Sequence, residues 1–251
     1  MPSPPRSAVL RCVSWNVHRG RGRDGRVDPQ RTVEVLARDV CPAPPDVLCL
    51  QEADEEQPPH RGVLDIARIA RETGLASAHG CAGDRWGTES HGFLGVVLFL
   101  APSLRLDDLA LLDLPGHCHR GAVVADVTHQ GTPFRIVGTH LSLGQALRIT
   151  QMRTIGQHLF RRRPRPTVVM GDLNEWRPWG GLALSEAVMM GMLLAGPARA
   201  TFPAVRPLLP LDRILASRPA RVTDLTVLDS PGIRAASDHR PLAASIAFDG
   251  G

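Results

Sequence analysis

The chain contains no lysine and no tyrosine among its 251 residues, so all 29 basic side chains are arginine. Compositional bias accounts for most of them, although guanidinium groups suit bidentate contacts to phosphate. Aromatic residues make up only 4%, which leaves few rings, chiefly Trp86, Trp176 and Trp179, on which nucleic-acid bases could stack. There is no C-x-x-C and no H-E-x-x-H, which disfavours zinc. The odd set Cys12, Cys41, Cys49, Cys81 and Cys118 fits reduced thiols used as small core residues, not a disulfide framework. No run approaches the ~20 apolar residues of a membrane-spanning helix, and M-P-S-P-P-R-S lacks the apolar core of a signal peptide. The expectation is a cytoplasmic protein.

What is present is ordinary for a globular chain: 43% hydrophobic and 22% charged residues. A net charge of +4 implies mild attraction to anions, short of a dedicated nucleic-acid binder. No repeat, low-complexity tract or linker divides the sequence, so residues 1–251 are expected to form one domain, a monomer, with 1–7 loosely attached.

Apolar, β-branched runs predict strands at 8–17, 46–51, 75–78, 93–100, 104–112, 122–128, 134–140, around Val168, and at 211–216, 222–228 and 242–248. Helical spacing predicts helices from Asp28-Pro29, over 62–73, over 144–160 and near 182–190. The Gly/Arg loop at 18–26 reads equally as a flexible surface loop and as a cover of amides and guanidiniums over an anion. The run R-R-R-P-R at 161–165 reads as a solvated helix end. Adjacent strand-like runs at 104–140 imply partly antiparallel pairing, hence two packed sheets flanked by helices.

Polar groups end these runs repeatedly: Asn16, Gln51-Glu52, His140, Asp172 and Asn174, Asp212, and Ser237-Asp238-His239. Such side chains cost free energy in a core unless paired or bound to a metal. In V-V-M-G-D-L-N-E-W, strand alternation would point Asp172 and Asn174 to one side, with Leu173 turned into the core. Carboxylates and amides without thiolates suit Mg²⁺, with Mn²⁺ as a substitute. Two histidines beside them point to hydrolysis at phosphorus, a His–Asp pair activating water and a second imidazole serving an oxygen.

Together the motifs S-W-N-V (14–17), C-L-Q-E (49–52), H-R-G-A (119–122), G-T-H-L (138–141), G-D-L-N (171–174), L-D-R-I (211–214) and S-D-H-R-P-L (237–242) resemble the endonuclease/exonuclease/phosphatase superfamily. That superfamily includes pancreatic-type deoxyribonuclease, AP endonucleases, inositol-polyphosphate phosphatases, deadenylases and neutral sphingomyelinases. The G-D-x-N-x-W-R and T-F-P…L-D-R-I forms are similar to its compact bacterial members, some encoded beside phospholipid synthases. The resemblance implies a four-layered α/β sandwich with the site at one end of two facing sheets. It implies Glu52 as main Mg²⁺ ligand with Asn16 beside it and Asp238 in support. It further implies His239 oriented by Asp212 as general base or phosphate partner, Asp172 orienting the nucleophile or the leaving oxygen, and Asn174, Arg120 and His140 toward the phosphate. His18 stands where AP endonucleases carry an acid, and G-F-L-G-V-V (92–97) where many members carry G-N-A.

The implied activity is a Mg²⁺-dependent phosphodiesterase on nucleic acid or a phospholipid headgroup, the latter with peripheral membrane contact. A lipid substrate would suit the apolar run at 202–211 if that run is exposed beside the site, and not if it is a buried connection. The alternatives are a phosphomonoesterase on a small phosphorylated metabolite or lipid, and a silent phosphate- or nucleic-acid-binding module. The filled acid/base positions argue against the last.

Overall fold

The computed structural model describes residues 9–248. The loose tail expected at 1–7 and the first residue of the expected opening strand lie outside them. In chain order the strands are β1 (Val9–Asn16), β2 (Val47–Gln51), β3 (Ala76–Ser77), β4 (Val97–Leu100), β5 (Leu104–Leu114), β6 (Arg120–His129), β7 (Thr132–His140), β8 (Thr167–Asp172), β9 (Leu194–Ala195), β10 (Asp212–Ser217), β11 (Ala220–Val227) and β12 (Leu242–Phe248). The α-helices are α1 (Pro29–Val35), α2 (Ile66–Thr73), α3 (Gln145–Phe160) and α4 (Pro231–Ala236).

They form two six-stranded sheets, ordered β11-β12-β1-β2-β4-β3 and β5-β6-β7-β8-β10-β9. Each is mixed: β1–β2 and β7–β8 pair parallel, and the other pairs antiparallel. Period-2 alternation in the strands sends side chains to two different interiors. Cys12, Cys49, Leu98, Ile136, Met170, Ile214 and Ile246 meet between the sheets. On the outer face of the first sheet, Trp15, Leu48 and Phe99 pack on Val33, Leu36, Ile69 and Ile233. On the outer face of the second, Val137, Val169 and Leu215 pack on Met152, Ile155 and Leu159 of α3. The result is the four-layered α/β sandwich expected, two mixed sheets between helical layers. Each fully buried Leu, Ile or Val contributes roughly 1.5–3 kcal/mol, so three apolar layers dominate over the short helices. The sheets also approach closely: a β-carbon on Gly138 would lie 2.6 Å from Cys49 Sγ.

Local chemistry sets the element ends. Asp28 Oδ1 accepts from the Arg31 amide at 3.0 Å with Pro29 at the first helical position, a strong helix start. α2 begins at Ile66, later than the residue 62 expected, because Asp65 caps it by accepting from the Arg68 amide at 2.8 Å. The strand expected over 93–100 is confined to 97–100. Leu94 and Gly95 adopt left-handed backbone, and Phe93 folds back to bridge Val96. The helix expected near 182–190 is instead a series of turns bounded by left-handed Gly180, Gly181 and Gly191. The arginine run is not solvated throughout: Arg162 pairs with Asp108, and Arg165 with Asp107 at 3.2 Å. Among the described residues, no helix is long and apolar enough to cross a membrane.

Candidate active site

Register brings three polar side chains into line. His140 pairs with Asp172 across β7–β8, and Asp172 with Asp212 across β8–β10, so the three occupy one row on the end of the second sheet. Opposed residues on adjacent strands project to the same face. In the first sheet Asn16 and Gln51 are paired at the carboxyl ends of parallel β1 and β2. Glu52 follows in left-handed backbone (φ 56°). Asn174 is also left-handed (φ 50°) and lies beyond β8. It therefore reaches the site by a turn, not by strand alternation; its amide donates to Asp172 Oδ1 at 3.0 Å. Leu173 is fully buried, as expected. A β-carbon on Gly171, where φ is +144°, would meet the Thr139 carbonyl oxygen at 1.8 Å, so only glycine fits before Asp172.

Asn16 joins the two sheets: its Nδ2 donates to Asp172 Oδ2 at 3.0 Å and to Glu52 Oε1 at 3.3 Å. Arg19 donates to the other Glu52 oxygen. Arg19 at Glu52 and His18 at Asp238 are where the Gly/Arg loop meets the site, while Arg21 braces the loop through the Gly25 carbonyl. Asn174 Nδ2 donates to the Leu141 carbonyl at 2.8 Å and lies 3.3 Å from His140 Nε2. Arg120 and His140 line a narrow cleft with Glu52 and Arg19.

His239 crosses from the first sheet to the second. Its Nδ1 lies 2.9 Å from Asp212 Oδ2 and its Nε2 3.7 Å from Asp172 Oδ2. The segment carrying it is fixed by Trp15 Nε1 donating to the His239 carbonyl at 3.0 Å and Ser237 Oγ donating to the Asn16 carbonyl at 2.7 Å. Asp238 stands at the edge, half-exposed, its Oδ1 3.4 Å from His18 Nδ1.

Two buried residues escaped the sequence reading. Thr201 Oγ1 donates to Asp212 Oδ2 at 2.5 Å; it lay in view in T-F-P, with no hint of a partner. Glu175 is completely buried beside Arg148 and Arg177. Its partners come from α3 and its own loop, which spacing does not reveal.

The charges settle one another. Burial acts to lower His239, but the charge and hydrogen bond of Asp212, with Asp172 and Asp238 behind them, raise the imidazole to about 10. Burial and then the charge of Asp212 push Asp172 up to about 6, against the pull of His239. Burial, then the positive charges of Arg120, His239 and Arg19, holds His140 well below the usual histidine range. A cationic imidazole, a neutral one and a carboxyl group of raised pKa within a few ångströms form a set able to hold and move protons. The donors also suit a hard divalent cation. Asp212 Oδ1 is buried with no partner, Glu52 already attracts one cationic group, and Asp172, Asp212 and His239 offer ligand atoms within 4.8 Å of one another.

The family model described as Endonuclease/Exonuclease/phosphatase family matches residues 13–239. No curated protein matches the sequence. Among solved structures, the chain resembles an endonuclease/exonuclease/phosphatase from Bacteroides vulgatus at TM-score 0.72 and 16% identity, covering 96% of this chain and 100% of that one. It resembles the mannosyl-6-phosphatase of Bacteroides thetaiotaomicron at 0.69 and 17%, covering 95% and 100%. It resembles D. rerio TDP2, complexed with single strand DNA product, at 0.68 and 16%, covering 95% and 99%. At these identities the likeness is one of fold.

Proposed function

The chain belongs to the endonuclease/exonuclease/phosphatase family, whose members are phosphoester hydrolases that usually use divalent metals, and from that premise we propose a divalent-metal-dependent phosphodiesterase. The observation that carries the reading is the row His140–Asp172–Asp212 facing Asn16 and Glu52, with His239 joined to both aspartates. A diester carries one negative charge where a monoester carries up to two. Cationic His239, Arg19 and Arg120 offset the carboxylates and attract either ester, so the comparison of diester with monoester hydrolysis below decides between them.

Glu52, with Asn16 beside it and Asp238 at the edge, would hold Mg²⁺ or Mn²⁺. A bound ion would neutralise charge on the phosphate and, as a like charge, draw His239 down toward the range where it can accept a proton. Asp212 and Thr201 hold the imidazole with Nε2 toward the substrate. There it takes the proton of the attacking water or pairs with the phosphate, while Asp172 orients that water. Asn174 and Arg120 bind non-bridging oxygens, and neutral His140 hydrogen-bonds the phosphate or serves the leaving oxygen. Nucleic acid and phospholipid headgroups both supply the required diester.

Hydrolysis of bis-p-nitrophenyl phosphate with Mn²⁺ or Mg²⁺ tests this. Turnover should vanish with chelator and return with excess metal. Folded, metal-binding protein that cleaves no diester would end the proposal, and faster cleavage of the monoester would move it to a phosphatase.

A further inference from the structure

Arg19 has one strong partner and one idle donor. Its guanidinium donates to Glu52 Oε2 and lies 3.8 Å from Glu56 Oε2, while its Nε is buried with no acceptor. Arg120 likewise has a buried Nε without a partner. Both arginines line the cleft that holds Glu52 and His140, and the charges of both act on His140. A buried N–H left unpaired costs more than a made hydrogen bond contributes. Guanidinium groups present their donors as a planar fork that matches phosphate oxygens.

The backbone is built to present Arg19 at this place. His18 and Arg19 are consecutive left-handed residues, with φ 47° and 51°. Side chains rarely adopt that conformation, and it persists only where the surroundings fix it. Here the His18 amide donates to Asn16 Oδ1 at 3.0 Å, the Arg19 amide to the Glu52 carbonyl at 3.1 Å and the Gly20 amide to the Val17 carbonyl at 2.9 Å. Main-chain bonds therefore keep Arg19 beside Glu52 whatever its guanidinium does. The Arg19 side chain is 27% exposed, so its tip can change partners without disturbing the core.

The other carboxylates of the cleft offer that tip little. Asp54 is buried and already accepts from the Ser90 hydroxyl and from the His91 and Gly95 amides. Glu55 and Glu56 are exposed, and ion pairs in solvent contribute little. A divalent ion on Glu52 would compete with the guanidinium for one carboxylate and repel it as a like charge. An anion in the cleft is then the strongest acceptor left for the fork.

We propose that Arg19 is a second phosphate-binding arginine, held in reserve by Glu52 and released to the phosphate when a divalent ion takes that carboxylate. The inference rests on Glu52 as metal ligand in the proposed reading, but it does not require turnover. Calorimetry on the full chain tests it, with Mn²⁺ alone and then with inorganic phosphate in saturating Mg²⁺. Arg19→Met keeps the apolar stem and removes the competitor. It should bind Mn²⁺ about fivefold more tightly than the parent and phosphate about tenfold more weakly. An arginine that only braced the loop would, on removal, weaken both. Arg19→Gln, which can still donate to Glu52, should shift both affinities in the same directions. In a Glu52→Gln background the gain in Mn²⁺ affinity from Arg19→Met should shrink to less than about twofold, because the contested carboxylate is gone. Mn²⁺ affinity unchanged or weakened in both Arg19 variants would overturn the inference. So would a gain that persists in Glu52→Gln, or phosphate affinity equal to the parent's. Opposite shifts in metal and phosphate binding, in a parent protein that cleaves no diester, would uphold the inference and count against the hydrolase reading alone.

Discussion

The two sheets contribute to the site in different ways. The second sheet supplies His140, Asp172 and Asp212 from the end positions of three adjacent strands, in one register row. The first supplies Asn16 from the last position of β1 and Glu52 from beyond β2, in left-handed backbone and paired with Arg19. Groups inside a ladder keep their spacing whatever is bound. A carboxylate on a turn, already partnered by a guanidinium, can exchange one cation for another. On the proposed reading the second sheet would handle the proton and the first would hold the metal, with His239 as the link between them.

Three substitutions would sharpen or break that division. The largest effect is expected from His239→Ala, which removes the link. Turnover of bis-p-nitrophenyl phosphate should fall by about 10²–10⁴, with circular dichroism and metal titration close to the parent. Activity within a few-fold would take His239 out of the chemistry.

Asp212→Asn should cost about 10²-fold in turnover, and its pH signature is more informative. His239 sits above its ordinary 6.5, at about 10, against the effect of burial, through Asp212 first and then Asp172 and Asp238. A raised pKa contributes stability that is complete below pH 6.5 and lost as pH rises through about 10. In metal-free parent protein, imidazole NMR should show His239 protonated through neutrality, with melting temperature falling toward pH 10. In Asp212→Asn the imidazole should titrate at lower pH and that loss of stability should flatten. Identical titrations in the two proteins would remove Asp212 as the cause.

The smallest effect falls on the first sheet. Glu52→Gln should weaken Mn²⁺ binding by calorimetry roughly tenfold, about 1.4 kcal/mol, with activity partly restored by added metal. An unchanged metal titration would move the ion to the Asp172–Asp212–His239 side and undo the division of labour.

Much of this was legible in the sequence, for identifiable reasons. Strands buried on both faces leave long apolar runs, and the polar residue ending each run stood out against them. Asp172 and Asn174 do meet, but not through strand alternation: periodicity describes a strand, and Asn174 lies beyond β8 in left-handed backbone. The helix expected near 182–190 has suitable residues in L-A-L-S-E-A-V-M-M, yet left-handed glycines on either side confine it to turns. α4 was missed although Ser230-Pro231 is a start signal, because six residues are too few to show helical spacing. Glu175 and Thr201 were invisible because a buried partner is a property of packing, and theirs lie on α3, on β10 and on the loop that carries Glu175.

β1 lies inside its sheet, with β2 on one side and β12 on the other, and Trp15 contacts His239 across 224 positions of sequence. On the ribosome, one edge of β1 and the hydrogen bonds that fix His239 must therefore wait for β12 and the segment before it to emerge. Loop closure over such a span is slow. A nascent chain would keep one edge of β1 unpaired and His239 unanchored until β12 had emerged and docked.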